Sequence, residues 1–354
     1  VYDRIARFVF DTPWAIRPEM LGVIVELLAF RAAGGRLPVE QIAARIGPPR
    51  DGPSGAGRVN DGSVAVIPVH GVIAQRAGLL GASSGGTSTE QIAADLRAHI
   101  ANPEVAAVLL DVDSPGGAVF GVPELAQSLY EARGSKPLVA VANSLAASAA
   151  YWLATAVDEL VVTPSGEVGS IGVLAAHEDH SRRLDQEGVT VSLINAGTYK
   201  GEASPFAPLT AEARAAIQAR VDDYYGMFTR DVARHRGVSV ATVRNGFGEG
   251  RVVGAREAVE LGMADRVESL PQTIARLQSA RGRAQLGQRA AALVANAGPA
   301  TEAQLRADAG RHCEEPPWEL VSGLDWRRRR QRFRETQAAG YHLAHTRSMR
   351  RRVA

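Results

Sequence analysis

Ser148, in PLVAVANSLAASAAYWLATAVD at 137–158, and Lys200, in NAGTYKGEASPFAPLT at 195–210, are the candidate nucleophile and base for acyl-transfer chemistry. A serine hydroxyl becomes a useful nucleophile only when a base takes its proton. Of the 40 lysines and arginines, only Lys136 and Lys200 are lysine. Arginine stays protonated in proteins, whereas burial or positive neighbours can bring a lysine from about 10.4 towards about 7–8. A site that needs a neutral amine therefore has these two residues to draw on. Lys136 precedes Pro137 at the mouth of a strand and reads as a solvated surface charge. Lys200 follows an apolar strand expected over Thr190–Ile194, in a loop whose glycines and prolines give it a defined path. It is the candidate base, although the same position also suits a solvent-facing loop lysine.

The elements around Ser148 have a readable order. Pro137–Val141 is a short β-branched run, and after Asn143 and Ser144 an Ala-rich segment continues to Val157, so strand, turn and helix follow one another. In the first turn of such a helix the amides lack partners and the dipole is positive, which favours charge developing on a bound carbonyl. Ala146, Ala147, Ala149 and Ala150 leave room for close approach; the same composition also fits a tightly packed Ala/Ser helix in an α/β core. A second strand and turn, VAAVLLDVDSPGG at 105–117, leads into a helix-like run from Val122 to Arg133. Paired glycines let backbone N–H groups come close to a ligand. Two parallel strands ending in such turns bring both turns to one sheet edge, where open α/β sheets bind ligands. One turn then offers an oxyanion hole and the other a nucleophile.

The ordered set SPGG, NSLAASAAYWLA, GEVGSIGV (166–173) and GTYKGEASPFAPLT resembles the S49 peptidase family, whose members include signal peptide peptidase A and head maturation proteases of tailed phages. The resemblance covers about residues 64–268. It implies an α/β fold, a ClpP/crotonase-like spiral of βαβ units, and a Ser/Lys dyad with no cofactor and no metal. Carried over by motif, Ser148 is the nucleophile and Lys200 the general base. Ser170 holds the lysine amine, and the N–H groups of Gly116, Gly117 and Ala149 bind the oxyanion. Ala149 and Ala150 stand where many cellular members have Gly-Gly, a change expected to alter pocket shape and leave the amide in place. The resemblance further implies a ring-like homo-oligomer with the dyad near a subunit interface, and polypeptide substrates. A start of the PWAI type, with no hydrophobic anchor, resembles the phage branch, for which scaffold or capsid proteins inside an assembling prohead in the host cytoplasm are the expected substrates. A bacterial cytoplasmic peptidase, a non-catalytic capsid- or portal-associated protein on the same fold, and a crotonase-type acyl-CoA enzyme are the alternatives.

The rest of the chain frames this domain. Residues 1–46 are expected to form a small helical hairpin, from Met20–Phe30 and LPVEQIAARI (37–46). The first of these is too short to span a bilayer and contains Glu26. Residues 47–62, rich in Gly and Pro, read as a linker, and 63–270 as the catalytic domain. His70 is expected to be a hydrogen-bonded sheet histidine. His177 and His180 are too few for a metal site, but His177 is a rival base for Ser148 in a Ser/His/Asp arrangement. Thr210 is expected to cap a long helix whose apolar stripe includes Ile217, Val221, Phe228 and Val232. Residues 271–325 read as a helical and irregular extension. The tail, 326–354, has ten arginines against Glu335 within a chain of net charge +2, so an acidic body carries a basic tail. The tail suits either a disordered solvated extension or contact with nucleic acid or an acidic surface. The single cysteine, Cys313, rules out a disulfide within the chain.

Overall fold

The computed structural model of the chain describes residues 9, 12–32, 59–60, 63–76, 86–279 and 282–288. It divides into one unit of residues 1–298 and a second of 299–354, and the second, with the Arg-rich tail, lies outside the described residues.

The centre is a largely parallel sheet. Strands β3 (Val64–His70), β6 (Ala107–Ser114) and β8 (Leu138–Ala147) pair in parallel, with β2 (Val59–Asn60) antiparallel on the edge. β8 is long enough to have two neighbours in succession. Its first half pairs with β9 (Glu159–Val162) and its second half with β10 (Glu167–Gly169). β11 (Val252–Gly254) closes the edge antiparallel to β10, and β12 (Arg266–Val267) pairs with β9. A smaller sheet has the order β1 (Trp14–Ile16), β7 (Gly116–Ala118), β4 (Ile73–Ala74) and β5 (Thr87–Ser88).

Burial on both faces explains the nearly continuous apolar strands. Alternate residues Ala65, Ile67, Val108, Leu110 and Ala140 face a main core, while Val64, Leu109, Val139, Val141 and Val161 face an outer cluster closed by Leu277 and Leu286. The crossover helices are α2 (Thr89–Ala101), α3 (Val122–Glu131) and α4 (Ala149–Thr155), which establishes the expected α/β architecture of βαβ units. Leu277 belongs to a helix over Leu270–Gln278, so packed structure continues beyond residue 270 onto the back of the sheet.

Local signals account for several ends. The Ser88 hydroxyl accepts from Gln91 N–H at the start of α2, and Thr210 accepts from Ala213 N–H at the start of the long helix Ala211–Arg236. Lys136 differs from its expected role as a free surface charge. Its ammonium donates to the carbonyls of His99 (2.9 Å) and Asn102, satisfying orphan acceptors at the α2 C-terminus.

Two expected elements differ. Within the expected hairpin Trp14–Ile16 form a strand, β1, ahead of a helix, α1 (Pro18–Ala32); the expected second helix at 37–46 lies outside the described residues. Thr190–Ile194 forms no strand. Val191 and Leu193 are exposed and Ile194 is 99% exposed, because among the described residues no sheet edge lies alongside to give this apolar run a ladder.

Candidate active site

Ser148 lies between the end of β8 and the start of α4, and the junction is sharp. Its backbone has φ 56° and ψ −119°, a region that a residue with a side chain rarely adopts. The turn is fixed on both sides. Ser148 N–H donates to Gly169 O at 2.7 Å, and Ser148 O accepts from Trp152 N–H at 3.0 Å. Sequence placed the serine within the first helical turn; it is the residue immediately before the helix, so Ala149 supplies the first amide of α4.

The helix behind the serine is anchored at several points. Trp152 stacks on Phe228 with ring centroids 4.5 Å apart, and its Nε1 donates to Asp231 Oδ2 at 2.9 Å. Tyr151 donates its hydroxyl proton to Met263 O at 3.0 Å. At the far end the Arg133 guanidinium donates to the carbonyls of Thr155 (2.6 Å) and Ala156 (3.0 Å). Burial pushes this guanidinium down to about 10, still charged at neutral pH. These contacts deny α4 the freedom to rotate Ser148 out of register.

The glycine turn stands beside this junction. The β6/β8 register shifts between Val112 and Ser114, which sets Ser114 opposite Ala146. Gly116 has φ 99°, and a Cβ there would lie 3.0 Å from Ser148 Cβ and 2.2 Å from Ala15 O. A Cβ on Gly117 would lie 1.9 Å from Ile73 O. Both positions are therefore closed to side chains, by crowding at both and by backbone conformation at Gly116. Gly116 N–H donates to Ser114 Oγ at 3.2 Å, and that hydroxyl donates to Gly71 O at 2.6 Å. The structure thus brings Ser148, Ala149, Gly116 and Gly117 to one place.

Ser170 belongs to the same neighbourhood. It follows Gly169, whose carbonyl receives the Ser148 amide, has φ 54°, and donates its own N–H to Arg251 O at 2.7 Å. Lys200 is not brought in. It is exposed, and among the described residues no hydrogen bond or ion pair joins it to Ser148 or Ser170. The Ser148 hydroxyl instead donates to Gly172 O at a long 3.4 Å.

The histidines are accounted for as follows. His70 Nε2 lies 3.2 Å from Asp111 Oδ2, whose other oxygen accepts from Asn143 Nδ2 at 3.1 Å, the paired sheet histidine that was expected. Burial raises the neighbouring Asp113 carboxyl above its ordinary value, with His70 pulling the other way. His177 Nε2 is buried with no hydrogen-bond partner, and among the described residues nothing connects it to Ser148. His180 pairs with Glu178 at 3.1 Å. Among the described residues no group of three or more His, Cys, Asp or Glu is arranged to hold a metal ion.

One neighbour of the site was missed in the sequence: Ala15, on β1, alongside Gly117. The available signal was the bulky–small–bulky run Trp14–Ala15–Ile16 between Pro13 and Pro18, which reads as a short strand that small residues elsewhere could flank.

Residues 131–283 match the family model of Peptidase family S49. The chain is 36% identical over 217 residues to the head-tail preconnector protein GP5 of Enterobacteria phage P21, covering 61% of this chain and 43% of that protein. It is 34% identical over 217 residues to the capsid assembly protease C of Escherichia phage lambda, covering 61% and 49% respectively. The chain thus spans about half the length of these curated relatives. A solved structure of a ClpP1 mutant from Listeria monocytogenes aligns with a TM-score of 0.36 at 12% identity, over 58% of this chain and 91% of that one. The matched segment, residues 131–283, holds Ser148, Ser170 and Lys200 alike.

Proposed function

We propose that the chain is a serine endopeptidase in which Ser148 is the nucleophile and Lys200, supplied by a neighbouring copy, is the general base. The observation that carries this reading is the arrangement at Ser148, a strained strand-to-helix junction beside the glycine turn, inside the segment that matches the peptidase family. In the reaction, neutral Lys200 takes the Ser148 hydroxyl proton as Oγ adds to a peptide carbonyl. The oxyanion is held by the amides of Gly117 and Ala149, with Gly116 shaping the turn. The lysine returns its proton to the leaving amine, and water then cleaves the acyl-enzyme.

Lys200 lies on a surface that calls for a cover. Between Val189 and Phe206 the chain exposes Leu193 (51%), Ile194 (99%) and Tyr199 (61%), apolar area that a second copy would bury. Such burial would also desolvate the lysine, which favours its neutral form. Ser170, beside the nucleophile, is then placed to receive the incoming amine. For the biological role we favour cleavage of scaffold or capsid proteins during phage head assembly, supported by the likeness to a relative named as a capsid assembly protease. No helix among the described residues is long and apolar enough to cross a membrane.

The test is intact-mass spectrometry after treatment with a fluorophosphonate, on wild type, Ser148→Ala and Lys200→Arg. One adduct on wild type alone is expected, with Lys200→Arg slower by about 10²–10⁴-fold. Labelling of Lys200→Arg at the wild-type rate would remove Lys200 from the mechanism, and an unlabelled wild-type assembly that also fails to cleave capsid protein would remove the peptidase reading.

A further inference from the structure

The Ser148 junction is flanked by two rows of backbone groups, and the chain's own β1 runs between them. On one side is β7. Val119 N–H donates to Pro13 O at 3.1 Å and Arg17 N–H to Pro115 O at 3.0 Å, with Ala15 opposite Gly117 in antiparallel register. By the alternation of such a ladder, Ala15 and Gly117 form the hydrogen-bonded pair between those two bonds, which directs Gly117 N–H at Ala15 O. On the other side, Trp14 and Leu174 exchange bonds of 2.8 and 2.9 Å. The Ala15 carbonyl and the Ser148 side chain both crowd one point, the Cβ position that Gly116 lacks, at 2.2 and 3.0 Å.

The side chains are sorted as they would be in a binding slot. Trp14 and Ile16 point into an apolar cluster with Leu21, Ile24, Val72 and Ala118, while Ala15 points the other way, into the main core that holds Ala146 and Ala149. All three residues are at most 2% exposed. An extended segment bonded along both edges, with a small residue at the nucleophile and its carbonyl on a candidate oxyanion amide, has the geometry of a polypeptide bound by strand addition.

We infer that Trp14–Ile16 is a built-in occupant of the slot that a polypeptide substrate takes. The slot opens only when residues 12–17 withdraw, and the polypeptide that replaces them carries a small residue between two bulky apolar ones. This rests on the peptidase reading, so the test measures binding apart from catalysis. In the full chain with Ser148→Ala and Cys313→Ser, the pair Trp14→Cys and Leu174→Cys forms a reversible lock. Directly opposed, hydrogen-bonded strand residues have Cα atoms about 5.5 Å apart, within disulfide range. The probe is a fluorescein-labelled peptide of residues 10–19, FDTPWAIRPE, followed by anisotropy. Binding is expected to weaken about tenfold or more on oxidation and to recover on reduction. In a second variant without the lock, Trp14→Ala on the Ser148→Ala background, the probe is expected to bind more tightly than to Ser148→Ala alone. Equal binding in the oxidised and reduced forms, no binding in either, or no gain with Trp14→Ala would overturn the inference. With Ser148 restored, switched binding without hydrolysis in either state would count against the peptidase reading and leave the occupied slot standing.

Discussion

The backbone of Ser148, at φ 56° and ψ −119°, costs free energy that the surrounding structure must supply. Such conformations cost on the order of 1–3 kcal/mol and persist where neighbouring contacts over-determine them. Here the contacts are the Gly169 carbonyl on one side and the anchored α4 helix on the other. In the proposed reaction the strain would have a use, because the sharp turn sets the Ala149 amide directly after the nucleophile, where it could donate to an oxyanion. Two variants lacking the hydroxyl isolate it. Ser148→Gly tolerates positive φ and Ser148→Ala does not, so urea denaturation should find the glycine variant more stable by about 1 kcal/mol, even though glycine raises unfolded-state entropy. Both should be inactive. Equal stability, or a more stable alanine variant, would mean that the turn is not strained.

The elements that hold Ser148 meet in a buried polar cluster at the far end of α4. Asp158 accepts from Leu138 N–H at 3.0 Å at the start of β8, and Arg236 clasps Asp265 with bonds of 2.9 and 2.6 Å. With His235 these residues line a cavity of about 290 Å³. Burial pushes Asp158 up to about 6, against the pull of the Leu138 amide and Arg133, and the nearby Glu159 adds to the rise. Burial and then the arginines 133, 234 and 236 drive His235 well below its ordinary value. The signs oppose. The folded chain binds the Asp158 proton more tightly than the unfolded chain, so this group adds stability as pH falls from about 6 towards about 4. The unfolded chain takes the His235 proton first, so stability is lost as pH falls below about 6.5. Asp158→Asn removes the first effect and keeps the second. Thermal unfolding should show the variant losing stability relative to wild type between pH 7 and 4.5, by on the order of 2 kcal/mol; parallel profiles would refute the assignment. At this scale much was legible. The buried strands, the Thr210 cap and the junction at Ser148 follow from apolar runs, a capping hydroxyl and a switch from β-branched residues to alanine. What the sequence hid depends on neighbours distant in the chain. Thr190–Ile194 has strand composition but no adjacent edge. Lys136 reads as a surface charge until the α2 C-terminus is seen beside it. Trp14–Ile16 reads as the start of a helical hairpin until Gly116–Ala118 offers it a ladder.

At the scale of the whole molecule, the exposed segment from Val189 to Phe206 and the absence of any bond among the described residues between Lys200 and Ser148 are what the proposed site, completed between copies, would leave on a single copy. The N-terminal half of the helix Ala211–Arg236 fits this too. Its residues before Gly226 are largely exposed, whereas Phe228 and Val232 further along are buried, so the helix projects one end away from its own core. Closed cyclic assemblies use one such heterologous contact repeatedly, and each site would then draw its serine from one copy and its lysine from the next. This makes a prediction that a dyad within one chain does not. Ser148→Ala and Lys200→Arg are each inactive alone. When co-expressed in equal amounts and purified as mixed assemblies, neighbouring pairs with an intact serine on one copy and an intact lysine on the other should occur at roughly a quarter of interfaces. Peptide hydrolysis should recover in that proportion, and fluorophosphonate should label only the Lys200→Arg chain, which keeps Ser148 and differs in mass. A mixed assembly with no recovered hydrolysis, verified as mixed by mass, would place both halves of the dyad in one chain and require the 189–206 segment to fold back over its own Ser148.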